Sequence, residues 1–180
     1  MIITNLLQTI VDNLHSVMPD LQDCKTHKGR FVAADLKNLS ARTPAIRVAL
    51  LGIPKTDSDG AGRPYATLKL VAYIITANTR ELSSEVAAIN LVEALTVHLH
   101  DQNWGQINLG IPTNTHAQNL FSSSIGNTRV ALWGVSWEQD IYLQSSVDEE
   151  GVLPQAVYLG IDPEIGSGHE DDYDEVVTDV

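Results

Sequence analysis

The chain has 180 residues, of which 43% are hydrophobic, and its 23 Asp and Glu residues outnumber its 11 Lys and Arg residues, for a formal net charge of −12. A chain of this length buries about 70% of its unfolded surface and needs neither a disulfide nor a metal to hold a core, and its single cysteine, Cys24, excludes an intrachain disulfide and a cysteine-rich zinc site. The sequence has no cluster of Lys and Arg for binding nucleic acid, no apolar run near the roughly 20 residues of a membrane span, and no basic N-terminal segment typical of a signal peptide.

The first predicted element is a helix. Apolar residues recur at helical spacing from Ile2 to Met18, and Pro19 ends the pattern. The stretch Leu21–His27 is typical of a short strand, whereas Arg30–Asn38 fits no single element. We therefore predict one amphipathic helix that covers one face of a small sheet.

Two strands predicted to form a hairpin come next. The stretches Ala45–Ile53 and Pro64–Asn78 are rich in β-branched and aromatic residues. The stretch between them, Pro54–Arg63, is rich in turn residues. The pattern predicts an extended β-hairpin whose polar, mobile tip projects from the sheet.

A second helix and a long connection follow the hairpin. Thr79 or Ser83 caps a helix that runs to about His100, and its apolar face is wider than one sheet contact requires. We therefore expect this helix to lie between the sheet and a second surface. The next stretch, Gln102–Asn127, is longer than an ordinary loop, and we expect a short strand within it around Ile107–Ile111.

The stretch Asn127–Gln144 is the clearest strand of the chain because its residues alternate between a bulky face and a mostly polar face. The predicted inner face holds Trp133, Val135, Trp137, Ile141 and Leu143, and the predicted outer face holds Gly134, Ser136, Glu138, Asp140 and Gln144. This alternation predicts a long strand with one face in the core.

The C-terminal part is predicted to hold a turn at Ser145–Gly151, a last strand at Gln155–Ile161 and an acidic tail. Residues 162–180 contain eight acidic residues and no Lys or Arg. Such a composition is typical of a solvated, flexible segment. A docking motif within the tail is an alternative, because it also contains the apolar residues Tyr173, Val176, Val177 and Val180.

The order of the elements predicts the fold class. Strands that follow one another without intervening helices are typical of an antiparallel sheet. We therefore predict an α+β fold: a mostly antiparallel β-sheet with a long hairpin, two main helices packed on one face, and an acidic C-terminal tail. We expect residues 1–161 to form a single domain and residues 162–180 a flexible tail, in a soluble and cytoplasmic protein.

Candidates for catalysis or metal binding are sparse. His98 and His100, with His116 as a third ligand, form the zinc site most worth testing. At the end of a helix, however, side chains two positions apart diverge by about 200°, and histidines there interact favourably with the last carbonyl groups. No motif indicates a catalytic residue, and we predict neither a metal nor a cofactor.

Aromatic and basic residues on the predicted strands are candidates for an interface. Trp133 and Trp137 share one face, which favours core packing, although tryptophan is also enriched at subunit interfaces. Arg47, Lys69 and Arg129 each interrupt or border a strand. They either line the open face of the sheet or are simply solvated.

Several stretches together resemble one family of phage proteins. They are the amphipathic start Ile2–Met18, the strand T-P-A-I-R-V-A-L-L-G, the strand Leu68–Ala77 with the helix Leu82–His100, and the ending N-L-F-S-S-S-I-G-N-T-R-V-A-L-W-G-V-S-W-E-Q-D-I-Y-L. Over roughly residues 1–144, this pattern is similar to the Mu-like tail terminator, or tail-completion, proteins of contractile-tailed bacteriophages and prophages.

The resemblance implies a structural virion protein that is not an enzyme. Such proteins form a ring, typically of six subunits, at the head-proximal end of the tail, where the ring ends tube and sheath polymerisation and presents a surface to the neck. The implied partners are other copies of the chain, the tail tube protein, the tail sheath protein and the neck or head–tail connector protein. Phage DNA passes through without specific binding, and no membrane is involved. The implied location is the virion tail and neck, after assembly in the cytoplasm of the bacterial host.

A ring requires head-to-tail contacts between subunits. A sheet edge and the hairpin at Pro54–Arg63 are suited to such contacts. The candidate interface residues are Arg47, Asp59, Arg63, Lys69, Arg129, Trp133 and Trp137.

Three other functions remain open at this point. The closest is another head–tail connector or neck protein of similar build. A small metal-dependent hydrolase would use His98, His100 and His116, and stoichiometric metal in the purified protein would favour it. A monomeric adaptor would recruit a basic partner through its acidic tail, and loss of binding on deletion of residues 162–180 would support it.

Overall fold

The computed structural model describes residues 2–31, 42–125 and 128–143, together with the strand residues 158–159 and 174–175. The chain divides into two compact units, Met1–Gln144 and Ser145–Val180. In chain order, the first unit contains α1 (Ile2–Val17), β1 (Asp23–Thr26), β2 (Ala45–Ser58), β3 (Pro64–Ala77), α2 (Ser84–Leu99), β4 (Thr113–Ile125) and β5 (Thr128–Tyr142).

The strands of the first unit form one five-stranded sheet in the order β1-β2-β3-β5-β4. Only β1 runs parallel to its neighbour, and the pairs β2–β3, β3–β5 and β5–β4 are antiparallel. The predicted α+β fold with a mostly antiparallel sheet is therefore confirmed.

Both helices pack on the same face of the sheet, as predicted. Each has 16 residues, and no helix in the described part of the chain is long and apolar enough to cross a membrane. Apolar residues spaced three to four apart turn one stripe of each helix towards the sheet. The buried core between helices and sheet includes Leu6, Ile10 and Leu14 of α1, Leu95 and Leu99 of α2, and Ile46, Val48, Leu68, Leu70, Ile74, Val135 and Trp137 of the sheet.

Side-chain hydrogen bonds define where α2 begins. Ser83 is its N-cap, because the Ser83 hydroxyl accepts a hydrogen bond from the N–H of Val86 at 3.3 Å. Glu85 lies in the first turn, where the helix dipole favours a negative charge. The other predicted cap, Thr79, instead accepts a hydrogen bond from the N–H of Leu82 at 3.0 Å, in the turn before the helix.

The stretch predicted as a long connection is largely a strand. The edge strand β4 occupies Thr113–Ile125, and the short strand predicted at Ile107–Ile111 is reduced to one bridge between Leu109 and Ile141. The prediction was wrong because β4 shows no apolar alternation. From Thr113 to Phe121 all its residues but one are exposed, so neither face carries the signature of a half-buried strand.

The hairpin has longer strands and a shorter turn than predicted. Strand β2 continues through Pro54 to Ser58, so the connection is only residues 59–63. The pairing with β3 is irregular around Pro54, which has no N–H to donate. Strand β3 also pairs with β5 along its length, with Tyr65 opposite Tyr142. Only the turn itself therefore extends beyond the sheet.

The described residues of the second unit form two short strands. Strand β6, Tyr158–Leu159, lies within the predicted last strand Gln155–Ile161 and pairs antiparallel with β7, Asp174–Glu175. Outside the described residues lie the predicted turn at Ser145–Gly151, the predicted boundary after residue 161, the rest of the acidic tail and most of the segment Arg30–Asn38.

Candidate functional site

The sheet face opposite the helices carries a groove of about 550 Å³ that crosses β2, β3, β5 and β4. At roughly 4.8 Å between neighbouring strands, it is about 14 Å across. Its apolar lining consists of Phe31, Leu51, Val71, Tyr73 and Leu120. Gly134 also lines the groove. A Cβ atom at this position would lie only 3.0 Å from Leu120 Cδ1. The glycine therefore allows the Leu120 side chain to lie across β5.

The polar lining of the groove is basic. It consists of Arg30, Lys69 and His116, with Gln118 and Ser136. Among the described residues, no Asp or Glu lines the groove, and neither Arg30 nor Lys69 has an ion-pair partner. The groove is therefore a locally positive surface on a protein whose net charge is −12.

Two carboxylates lie on the same sheet face, closer to the hairpin turn. Glu138 is opposite Lys69 in the β3–β5 register, and its Oε2 accepts a hydrogen bond from Asn114 Nδ2 at 2.7 Å. Asp140 Oδ1 accepts a hydrogen bond from Thr67 Oγ1. The ion pairs of the described residues include none between Lys69 and either carboxylate, although the charge of Glu138 beside Lys69 partly offsets that of the ammonium group.

The β4 side of the groove is an edge of the sheet. No strand of the described residues pairs with the outer side of β4. Its pairing with β5 is interrupted between Thr113 and His116 and again between Asn119 and Phe121. Such bulges increase the local twist and discourage the addition of another strand. The face of the sheet is therefore a better docking surface than this edge.

Arg47, a candidate interface residue, is buried in an ion pair. Its Nη2 donates to Asp23 Oδ2 on the neighbouring strand β1, and its Nη1 donates to the carbonyl oxygen of Ile46 at 2.9 Å. Burial by itself raises the pKa of Asp23, but the hydrogen bonds and charges of Arg47 and Lys25 outweigh it and hold that pKa below 3.8. Arg47 therefore joins β1 to β2 and presents no surface to a partner.

Asp59 and Arg63, the two candidates in the hairpin turn, bind each other. Asp59 Oδ1 accepts hydrogen bonds from the N–H groups of Ala61 and Arg63, both at 2.9 Å, and Oδ2 accepts one from Arg63 Nε at 2.8 Å. The backbone N–H and the guanidinium of Arg63 lower the pKa of Asp59. The same guanidinium lies 5.0 Å from the ring centre of Tyr142, a cation–π contact. Both side chains thus organise the turn.

The remaining basic candidates lie on different faces. Lys69 is exposed on the open face, as one of the two sequence interpretations expected. Arg129 is exposed at the start of β5. The alternate positions of this strand, Val130 and Leu132, belong to a buried cluster on the sheet face opposite the helices. This alternation places Arg129 on the helix-bearing face.

The two candidate tryptophans follow the predicted core packing. Trp137 is 1% exposed, and Trp133 is partly buried against the same core. The Trp133 Nε1 atom is buried without a hydrogen-bond partner among the described residues. Trp137 is therefore unavailable as an interface residue, whereas Trp133 retains some accessible surface.

Gln139 is a fully buried polar residue whose role was not predicted. Its Oε1 accepts hydrogen bonds from Trp104 Nε1 at 3.1 Å and Trp137 Nε1 at 3.2 Å. Its Nε2 donates to the carbonyl oxygens of Gln102 at 2.8 Å and Gly110 at 2.7 Å. The amide thus makes its full set of four hydrogen bonds and fastens the loop between α2 and β4 to the sheet. The sequence signal for this role is a glutamine at a position of β5 whose side chain points into the core.

The outer face of α2 is exposed and carries apolar residues together with polar ones, since Asn90 and Glu93 lie between Ile89 and Val97. Val86, Ile89 and Val97 lie along one stripe of the helix and are 45%, 50% and 72% exposed. The opposite face packs Leu95 and Leu99 into the core. No described residue provides the second surface that we expected over α2, so the position of this helix between two surfaces stays a prediction.

The three histidines of the metal hypothesis do not converge. His98 Nε2 lies 2.7 Å from Asn13 Oδ1 on α1, and burial lowers the pKa of His98. His100 is exposed and lies 3.3 Å from Asp101. His116 lines the groove on the other face of the sheet. Within the described ranges, no group of three His, Cys, Asp or Glu residues is placed to hold a metal ion.

The described residues thus offer two candidate docking surfaces: the basic groove on one face of the sheet and the outer stripe of α2 on the other. A comparison with models of known protein families and a search of the curated proteins each found no match.

Proposed function

We propose that the protein is a tail terminator of a contractile phage tail or a related particle. In this role it is a structural virion protein that forms a ring, of six subunits, at the head-proximal end of the tail. The ring ends polymerisation of the tube and sheath and provides the surface that joins the neck. The resemblance of residues 1–144 to the Mu-like tail terminators suggests this role, and the exposed apolar stripe of α2 is the observation that carries it.

The stripe of α2 supports assembly because its exposed apolar side chains can be buried by a neighbouring subunit. Val86, Ile89 and Val97 are exposed although they lie on a regular, well-capped helix. Burying them against a neighbouring subunit would remove apolar area from water, which favours association.

The positions of the two surfaces support a ring in particular. The α2 stripe and the groove lie on opposite faces of the sheet. A ring requires two different patches, one for each neighbour, whereas a two-fold dimer uses one patch twice. Two chemically different surfaces on opposite faces satisfy the requirement for a ring.

The charge distribution agrees with DNA transit through the ring. Only 11 Lys and Arg residues stand against 23 acidic residues. Four of these cations, Lys25, Arg47, Lys55 and Arg63, are in ion pairs with aspartates. Because binding of phosphates needs clustered free cations, we expect DNA to pass without being held.

Electron microscopy of the protein mixed with purified tail tubes tests the proposal. We expect the wild-type protein to cap one end of each tube, and Val97→Asp to remain folded but leave the ends bare. Asn5→Asp is the matched control, because it adds the same charge at an exposed polar position on the other helix, α1. Equal capping by all three proteins would show that the α2 stripe does not contribute to ring assembly.

The alternative functions predict different outcomes. A neck or connector protein would bind to tails that are already terminated and would leave bare tubes uncapped. An adaptor would bind a basic partner as a monomer. The hydrolase hypothesis has no converging metal ligands among the described residues.

A further inference from the structure

The basic groove has a chemical complement in the sequence of the chain itself. Residues 162–180 contain eight acidic residues and no Lys or Arg. We propose that the groove binds this acidic C-terminal segment from a second copy of the chain. The inference rests on the proposed ring, because it names one contact between neighbouring subunits.

Charge is the first argument for this occupant. Arg30 and Lys69 line the groove without ion-pair partners among the described residues, and no described carboxylate lines it. Residues 1–129 contain all 11 Lys and Arg residues together with ten acidic residues, whereas residues 162–180 contain eight acidic residues and no Lys or Arg. The complementarity is therefore between this segment and the cations of the groove, and such complementarity steers association and fixes orientation.

The shape and chemistry of the groove are the second argument. A width of about 14 Å corresponds to about four residues of extended chain. The apolar lining of Leu51, Val71 and Leu120 provides contacts for apolar side chains, while Gln118 and Ser136 provide hydrogen-bonding groups for a peptide backbone. The segment contains suitable apolar side chains among its acids, namely Tyr173, Val176, Val177 and Val180.

The direction of the contact is the third argument. The donor segment and the acceptor groove are different parts of the chain, so the contact is heterologous and can repeat from subunit to subunit. Docking on the face of the sheet also avoids the bulged edge of β4, where strand addition is disfavoured.

A titration with a labelled peptide tests the inference without requiring ring assembly. The probe is a fluorescein-labelled synthetic peptide of residues 145–180, in which β7 keeps its partner strand β6, and binding is followed by fluorescence anisotropy at low and high salt. The acceptor is the full chain with its eight C-terminal acids replaced by Asn and Gln, which removes competition from the unlabelled segment. We expect saturable binding that weakens as salt is added.

Substitutions in the groove test the location. Lys69→Glu in the acceptor should weaken binding about fivefold or more, because one attractive pair is lost and a repulsive one is added. Arg129→Glu makes the same change of charge on the other face of the sheet and should leave binding unchanged. A second peptide has every acidic residue replaced by Lys. This peptide should bind the Lys69→Glu acceptor better than it binds the acceptor that retains Lys69.

Several results would overturn the inference. They are the absence of binding at low salt, equal weakening by Lys69→Glu and Arg129→Glu, or equal binding of a scrambled peptide with the same composition. Failure here, with tubes still capped by the wild-type protein, would refute only this contact. Peptide binding with uncapped tubes would instead refute the proposed terminator function.

Discussion

Replacing Gln139 with leucine should remove a large part of the stability of the first unit. The side chains are similar in size, so the main change is the loss of four hydrogen bonds. The indole N–H groups of Trp104 and Trp137 then remain buried without an acceptor, and each costs about 1–3 kcal/mol. The expected loss is therefore about 2–6 kcal/mol, against the roughly 5–15 kcal/mol that stabilises a typical protein.

Urea unfolding followed by far-UV circular dichroism measures this loss, because tryptophan fluorescence would itself change near the substitution. Gln118→Leu is the matched control: the chemical change is the same, but Gln118 is exposed on β4. We expect the control to lie within about 0.5 kcal/mol of the wild type. If Gln139→Leu were no more destabilising than Gln118→Leu, the reasoning about the buried amide would be refuted.

The variant Gln139→Glu adds a test by pH. A carboxyl group buried at this position should have a raised pKa, because burial disfavours its charged form. The folded state then binds the proton more tightly than the unfolded state, so the free energy of unfolding should fall as the pH rises from about 5 to 8. A variant whose stability did not change over this range relative to the wild type would contradict the burial of this side chain.

Three further predictions concern buried ionisable groups. Arg47→Met leaves the buried Asp23 carboxylate with the exposed Lys25 as its remaining ion-pair partner, and we expect a loss of about 1–3 kcal/mol at pH 7 in urea unfolding. Because the folded pKa of Asp23 is lowered, this difference from the wild type should shrink below about pH 4. Burial lowers the pKa of His98, so on acidification the unfolded chain binds the proton before the folded chain does. The free energy of unfolding should therefore fall below about pH 6.5. His98→Gln, which retains a donor to Asn13, should reduce this dependence of stability on pH. Burial raises the pKa of Cys24 to about 11, so a thiol reagent at pH 8 should react slowly with the native protein and rapidly in urea.

Each of these predictions has an outcome that contradicts it. An unchanged difference between the wild type and Arg47→Met from pH 7 to pH 3 would exclude the ion pair as its cause. Identical pH profiles for the wild type and His98→Gln would mean that His98 titrates normally. Fast labelling of Cys24 in the native protein would show that the thiol is accessible.

Periodicity predicted the elements that have one buried face. The α1 helix and the Trp-containing β5 strand alternate or repeat clearly, so their faces could be assigned before the structure was known. The edge strand β4 could not be found in this way, because strand identity there comes from pairing with β5 and its own residues are mostly exposed on both faces. The extent of β2 beyond Pro54 was missed because proline normally ends a strand, but an irregular register accommodates it here.

The candidate surfaces were only partly predictable for a related reason. The wide apolar face of α2 is a local pattern and was visible in the sequence. The burial of Arg47 depends on Asp23, which lies 24 positions away on a neighbouring strand, and no local pattern reports such a pairing. The groove likewise joins Arg30, Lys69 and His116 from separate segments, so it emerges only when the strand order is known.

Electron microscopy of the protein mixed with purified tail tubes shows whether this protein ends a phage tail, as we propose. We expect rings at one end of each tube and an arrest of tube elongation, compared with a control without the protein. Bare tube ends and continued elongation at micromolar protein would contradict it.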